Sequence, residues 1–96
     1  VNAVDVSSIN ANIELEAHGI RVVRIKGEPG LETPMHSHRA GITLPLTNIN
    51  ISHTNADGAV GIINNKAGTV SWAEPRSHKG KNLSDKSNEV ILFELM

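Results

Sequence analysis

Cysteine and tyrosine are both missing from the 96 residues. Without cysteine there are no disulfides, no thiolate metal ligands and no cysteine nucleophile. The compartment stays open, because cytosolic and exported proteins alike can do without it. Aromatics are scarce: one Trp and one Phe leave the core to Ile, Val and Leu, whose β-branched share favours sheet. Neither sign of charge dominates, with nine Lys and Arg against ten Asp and Glu. The basic excess of a nucleic-acid binder is therefore lacking. No apolar run approaches the ~18 residues of a membrane span. What remains reads as one soluble globular domain. The chain opens on Val1 rather than Met, which fits a trimmed start or a removed signal peptide. The expected location is the cytoplasm or, in the second case, the periplasm.

No segment of ten or more residues carries a 3.6-residue apolar period; short apolar runs alternate with turn chemistry instead. IRVVRI (20–25) predicts a strand closed by KGEPG (26–30). MHSHR (35–39) and ITLPL (42–46) predict a second extended region, with Pro45 at an edge or bulge because it cannot donate to a ladder. INISH (49–53) and AVGII (59–63) flank NADG (55–58), whose Asp-Gly pair is a two-residue hairpin signal. NNKAG (64–68) ends that hairpin, and TVSWA (69–73) follows. A polar loop is expected over 74–88 and a last strand at EVILFEL (89–95). Short strands with turns every eight to twelve residues point to a sandwich or barrel. Residues 1–12 are polar and rich in Asn and Ser, and are expected to form an arm before a domain over 13–96.

His36 and His38 are the pattern that carries chemistry. Residues i and i+2 of a strand share a face, so two imidazoles can approach one metal at ~2.0–2.1 Å. An exposed strand face with alternating polar residues explains the same spacing without any metal. The flanking residues add to the pattern. Gly30 lies six positions before His36, and downstream Gly68 precedes a Pro-containing loop that leads to His78 and Asn82.

These residues resemble the cupin superfamily, small RmlC-like jelly rolls, over roughly residues 20–95. Closest are short single-domain cupins, which PMHSH and NLSDKSNEVILFEL resemble most. The resemblance implies an all-β, single-domain jelly-roll β-barrel that brings His36, His38 and His78 together around a divalent transition metal (Fe, Zn, Ni, Mn or Cu). Neutral imidazoles suit such ions better than Mg or Ca, which prefer oxygen. The sequence also departs from the cupin pattern. Ile42 stands where a ligand Glu is usual, Ile49 replaces a Gly, Glu74 replaces a Pro and Arg76 replaces a Gly. A three-His site is therefore implied, without the Glu.

His53 shares a strand face with Ile51, which makes it a candidate fourth ligand in place of that Glu; a solvated position at the strand end is the alternative. His18 reads as surface. Ile42, Trp72, Arg76 and Asn82 are expected at the pocket or its rim, with Trp72 as core or pocket wall and Asn82 orienting the His78 loop. Met35 should face away from the histidine pair. Arg76, Lys79 and Lys81 form a local basic excess that is either a solvated loop or a rim attracting anions. The functional expectation is a metal-dependent enzyme of oxygenase, isomerase or lyase type, acting on a small anionic molecule. The alternatives are a non-catalytic module binding metal or a small ligand, and a barrel with a dead site. No residue stands out for acid–base work, and Glu74 is a loop candidate only. A homodimer paired through sheet edges is expected by analogy, with no nucleic-acid or membrane partner.

Overall fold

The fold follows from how nine short strands distribute their alternating side chains. The computed structural model describes residues 10–96, and they contain no helix. The strands are β1 (Asn10–Ala17), β2 (Ile20–Gly27), β3 (Glu32–His38), β4 (Gly41–Pro45) and β5 (Ile49–Asn55), then β6 (Val60–Asn65), β7 (Ser71–Ala73), β8 (Arg76–Asn82) and β9 (Asn88–Leu95). Five build one antiparallel sheet in the order β1-β2-β9-β4-β7, and four build another in the order β3-β8-β5-β6.

β2 and β9 anchor the larger sheet. Val23, 1% exposed, sits in direct register with buried Leu92, and both face the smaller sheet. On the opposite face the register lines up Leu15, Val22, Phe93, Ile42 and Trp72 across all five strands. Gly41 lets β4 come this close to β9: a Cβ there would stand 2.0 Å from the Phe93 carbonyl oxygen. Between the sheets lies a cavity of about 340 Å³, walled by Ile25, Leu31, Ile51, Ile63, Val90 and Leu92.

Several expected elements are placed differently. β1 was not expected as a strand, and Asn10, Ala11 and Asn12 pair with Lys26, Ile25 and Arg24 instead of belonging to an arm. An edge strand needs only backbone pairing on one side, so Asn is tolerated there. Residues 1–9 of the expected arm lie outside the described residues. His18 and Gly19 form the β1–β2 turn with φ of 53° and 77°, and Ala17 pairs directly with Ile20 across them. Two consecutive positive φ values give the primed two-residue turn that matches strand twist. In contrast, the Asp-Gly turn has one positive φ, at Gly58, and the Gly58 N–H donates to the Asn55 carbonyl.

The region 35–46 is split: β3 belongs to the small sheet and β4 to the large one. Pro45 does not lie on an edge strand, since β4 runs between β9 and β7. It is tolerated because pairing with β7 ends at Thr43, beyond which no donor is needed on that side. The largest correction concerns 74–88, where β8 takes Arg76–Asn82 out of the expected polar loop. Its inward residues are Arg76, His78, Gly80 and Asn82, so it carries no apolar stripe to announce it.

Candidate metal centre

β3 turns His36 and His38 to the same inner face, where each is 6% exposed. β8 runs antiparallel to it, with His36 opposite His78 and His38 opposite Arg76. A strand pair thus assembles what the sequence separates by forty residues. Ring centroids stand 4.8 Å apart for His36 and His38, 4.6 Å for His36 and His78, and 4.9 Å for His38 and His78. One donor nitrogen from each lies within 4.8 Å of the others. The three expected ligands form one cluster facing the cavity.

Each imidazole also has its Nδ1 beside a partner of its own. His36 Nδ1 lies 2.8 Å from the Pro34 carbonyl oxygen. A carbonyl only accepts, so this nitrogen carries the hydrogen and Nε2 keeps the free lone pair. His78 Nδ1 lies 2.6 Å from His53 Nε2. With His78 donating, its Nε2 is likewise free to bind a metal. His38 Nδ1 points at Glu94 Oε2 from 3.4 Å, an electrostatic contact longer than a formed hydrogen bond. Outer partners of this kind fix the tautomer and orientation of metal-binding histidines. A carbonyl, a carboxylate and an imidazole fill that position here.

His53 therefore stands beside the cluster, on His78, rather than among the three. It faces Gly80 across the β5–β8 pair and reaches His78 diagonally, with ring centroids 4.6 Å apart. Burial lowers the His78 pKa to about 3, with smaller contributions from His38, His36, His53 and Arg76. Burial also lowers His36, opposed by its bond to Pro34, and it lowers His53, where Arg76 adds to the effect. Neutral rings are the metal-binding form. The donor set fits a divalent transition ion that prefers nitrogen.

Glu94 is the residue that sequence reasoning missed. It is 2% exposed, on β9, directly across from Gly41 and hence next to the strand position where Ile42 replaces the usual Glu. Burial pushes its pKa up, but His38 and Arg21 outweigh that and leave the carboxyl below its usual range. Arg21 Nε lies 3.7 Å from Oε1, which has no hydrogen-bond partner among the described residues. One signal was available: Val90, Leu92 and Glu94 share a strand face, and a single acid interrupts an otherwise apolar run.

The other expected pocket residues divide. Arg76 lines the cavity, half-buried. Asn82 lines it too, but its amide holds loops rather than ligand. Its Nδ2 donates to the carbonyls of Gly27, Glu28 and Lys86, and its Oδ1 accepts from the Ser84 N–H. Ile42 and Trp72 are corrected: they are partners on the outer face of the large sheet, and Trp72 is 54% exposed. Their neighbours Thr43, Ser71 and Ala73 line the cavity instead. Glu74 is turned to the same outer side, where its carboxylate accepts from Trp72 Nε1 at 3.0 Å. Lys79 and Lys81 border the cavity along β8 but alternate with His78 and Gly80 and are exposed, and Lys81 meets Glu32 at 3.8 Å. Met35 is exposed, away from the pair as expected.

The chain has the cupin fold. It superposes on a cupin domain from Bordetella pertussis with a TM-score of 0.82 at 19% identity, covering 92% of this chain and 93% of that one. An uncharacterized conserved protein with a double-stranded beta-helix domain from Klebsiella pneumoniae gives a TM-score of 0.68 at 20% identity, covering 91% and 76%. A predicted oxalate decarboxylase from Thermotoga maritima gives 0.53 at 21%, covering 79% and 66%. No family model matches the sequence, and neither does any curated protein. The fold is jelly-roll and all-β, as the resemblance implied.

Proposed function

We propose that this chain is a small metal-dependent cupin enzyme, with His36, His38 and His78 holding one divalent transition ion and a small anionic molecule as its substrate. The observation that carries the reading is the trio of imidazoles, two buried and His78 half-buried, each with Nδ1 beside a separate partner, facing a largely apolar cavity. Bound there, an ion of the Fe, Zn, Ni, Mn or Cu class supplies Lewis acidity or activates water or O2. The chain's own part is to aim three rings at one point and to surround them with isoleucine, valine and leucine walls. Three neutral ligands leave the ion's positive charge uncompensated at first contact, which favours an anionic partner.

The test is metal-dependent turnover of a panel of small carboxylates and diketones, by protein loaded in turn with each candidate ion. Turnover that vanishes on chelation and returns with one ion supports an enzyme of oxygenase, isomerase or lyase type. Tight metal binding with no turnover across the panel favours the second reading, a non-catalytic binding module. A homodimer is proposed on the same terms, but with a second copy seated on the apolar outer row of Leu15, Phe93, Ile42 and Trp72 rather than paired through the sheet edges expected from the sequence. A monomer by light scattering discards it.

A further inference from the structure

We infer that the cavity selects a monocarboxylate with a compact apolar body, held by Arg76 at its charged end and by the isoleucine walls at the other. The inference rests on the proposed metal site for its location but not for its recognition chemistry. Arg76 sits opposite His38 in the β3–β8 register, so its side chain enters the cavity on the histidine face. Its Nη1 donates to the Glu74 carbonyl at 3.4 Å, and it forms no ion pair among the described residues. Burial lowers its pKa, and Glu94 offsets that only in part. A half-buried guanidinium with no carboxylate within ion-pairing distance presents a planar donor fork suited to one.

The remaining surroundings limit what else the ligand can carry. Lys26, Lys79 and Lys81 also border the cavity, but all three are exposed, which leaves Arg76 as the half-buried basic group beside the histidines. Beyond it stand Ile25, Ile51, Ile63, Val90 and Leu92. Against this apolar part of the lining, away from Asn65 and Asn88, a second carboxylate would be desolvated with no partner, which is costly. A branched or cyclic hydrocarbon group gains from the same contact. The cavity, about 340 Å³, is at the small end of the ~300–1,000 Å³ range of ligand sites, so the body is small.

The experiment is calorimetric titration of three probes, 3-methylbutanoate, malonate and neutral 3-methylbutanamide, into metal-loaded and metal-free protein. The expected order is 3-methylbutanoate tightest, with malonate and the amide each weaker by about tenfold or more. Arg76→Gln should cost the acid a similar factor and leave the amide unchanged. Ile63→Thr should weaken the acid while leaving every charge in place, which keeps the inference testable if the arginine variant does not fold. Lys66→Gln, at a lysine outside the cavity lining, should change nothing. Because Arg76 acts without the ion, 3-methylbutanoate should still bind the metal-free protein, more weakly and in an Arg76-dependent way. If no ion binds at all, the metal-enzyme reading fails, while this Arg76-dependent binding remains measurable. Malonate binding as tightly as 3-methylbutanoate, or indifference of the acid to Arg76→Gln, overturns the inference.

Discussion

The inner face of the small sheet and the outer face of the large one reverse the usual arrangement of a sandwich. Inside, β3 and β8 present His36, His38, His78, Arg76 and Asn82. Outside, β4 and β7 present Ile42 and Trp72, both well exposed. Polarity alone would assign these faces the wrong way round. Register assigns them, because a strand's alternation is rigid and one residue of slip exchanges its faces. The buried polar face is affordable only because its members have partners: Pro34, His53 and the loops around Asn82 supply hydrogen bonds, and Glu94 supplies opposite charge. The exposed apolar face has no such internal explanation, and a partner surface is the proposed one.

The largest expected break in this contrast comes from the inner face. Replacing His36, His38 or His78 by Ala should abolish stoichiometric metal binding, since each would supply one of the three donors of the proposed site. Smaller losses are expected from the residues beside them. Glu94→Gln and His53→Ala should weaken metal affinity by about 10–100-fold, the usual range for outer partners of metal-bound histidines. Competition with a chromophoric chelator measures both. His53→Ala is the sharper test, because complete loss would make His53 a fourth ligand rather than the support of His78.

Gly41→Ala should destabilise the fold by about 1–3 kcal/mol, as overpacking does, because its Cβ would collide with the Phe93 carbonyl. Chemical denaturation reads that change. On the outer face, Trp72→Ser should leave metal affinity untouched and alter monomer stability by no more than about 1 kcal/mol, the scale of one cross-strand contact. If Trp72→Ser instead removes metal, the assignment of faces is wrong.

Acid adds a further check on the metal-free protein. The His78 pKa falls from 6.5 unfolded to about 3 folded, and His36 and His53 are lowered too. Between those limits the unfolded chain binds more protons than the folded one, so stability is retained above about pH 6.5 and falls as pH drops towards 3. His78→Gln should flatten that dependence, as measured by thermal unfolding across pH.

Much of this was legible in the sequence, and the losses have identifiable causes. The strands around IRVVRI and EVILFEL stood out because both bury Val, Ile and Leu against each other. The pairing of His36 with His38 followed from alternation, and His78 followed from the cupin resemblance. β8 was hidden because RSHKGKN fills its inward positions with Arg, His, Gly and Asn. The placement of Ile42 and Trp72 failed because the chain changes sheets between His38 and Gly41, where periodicity carries no information across the gap. Glu94 was hidden in a run apolar on both faces, where sequence alone does not say which face is inside.

The central claim is that three histidines on two strands make one metal site. It is tested most directly by elemental analysis of protein purified without an immobilised-nickel column and equilibrated with each candidate ion. The account predicts one equivalent of a transition ion per chain, lost in the His36, His38 and His78 alanine variants and retained in His18→Ala. Wild-type protein that retains none of the ions, or alanine variants at all three positions that keep the full equivalent, would contradict it.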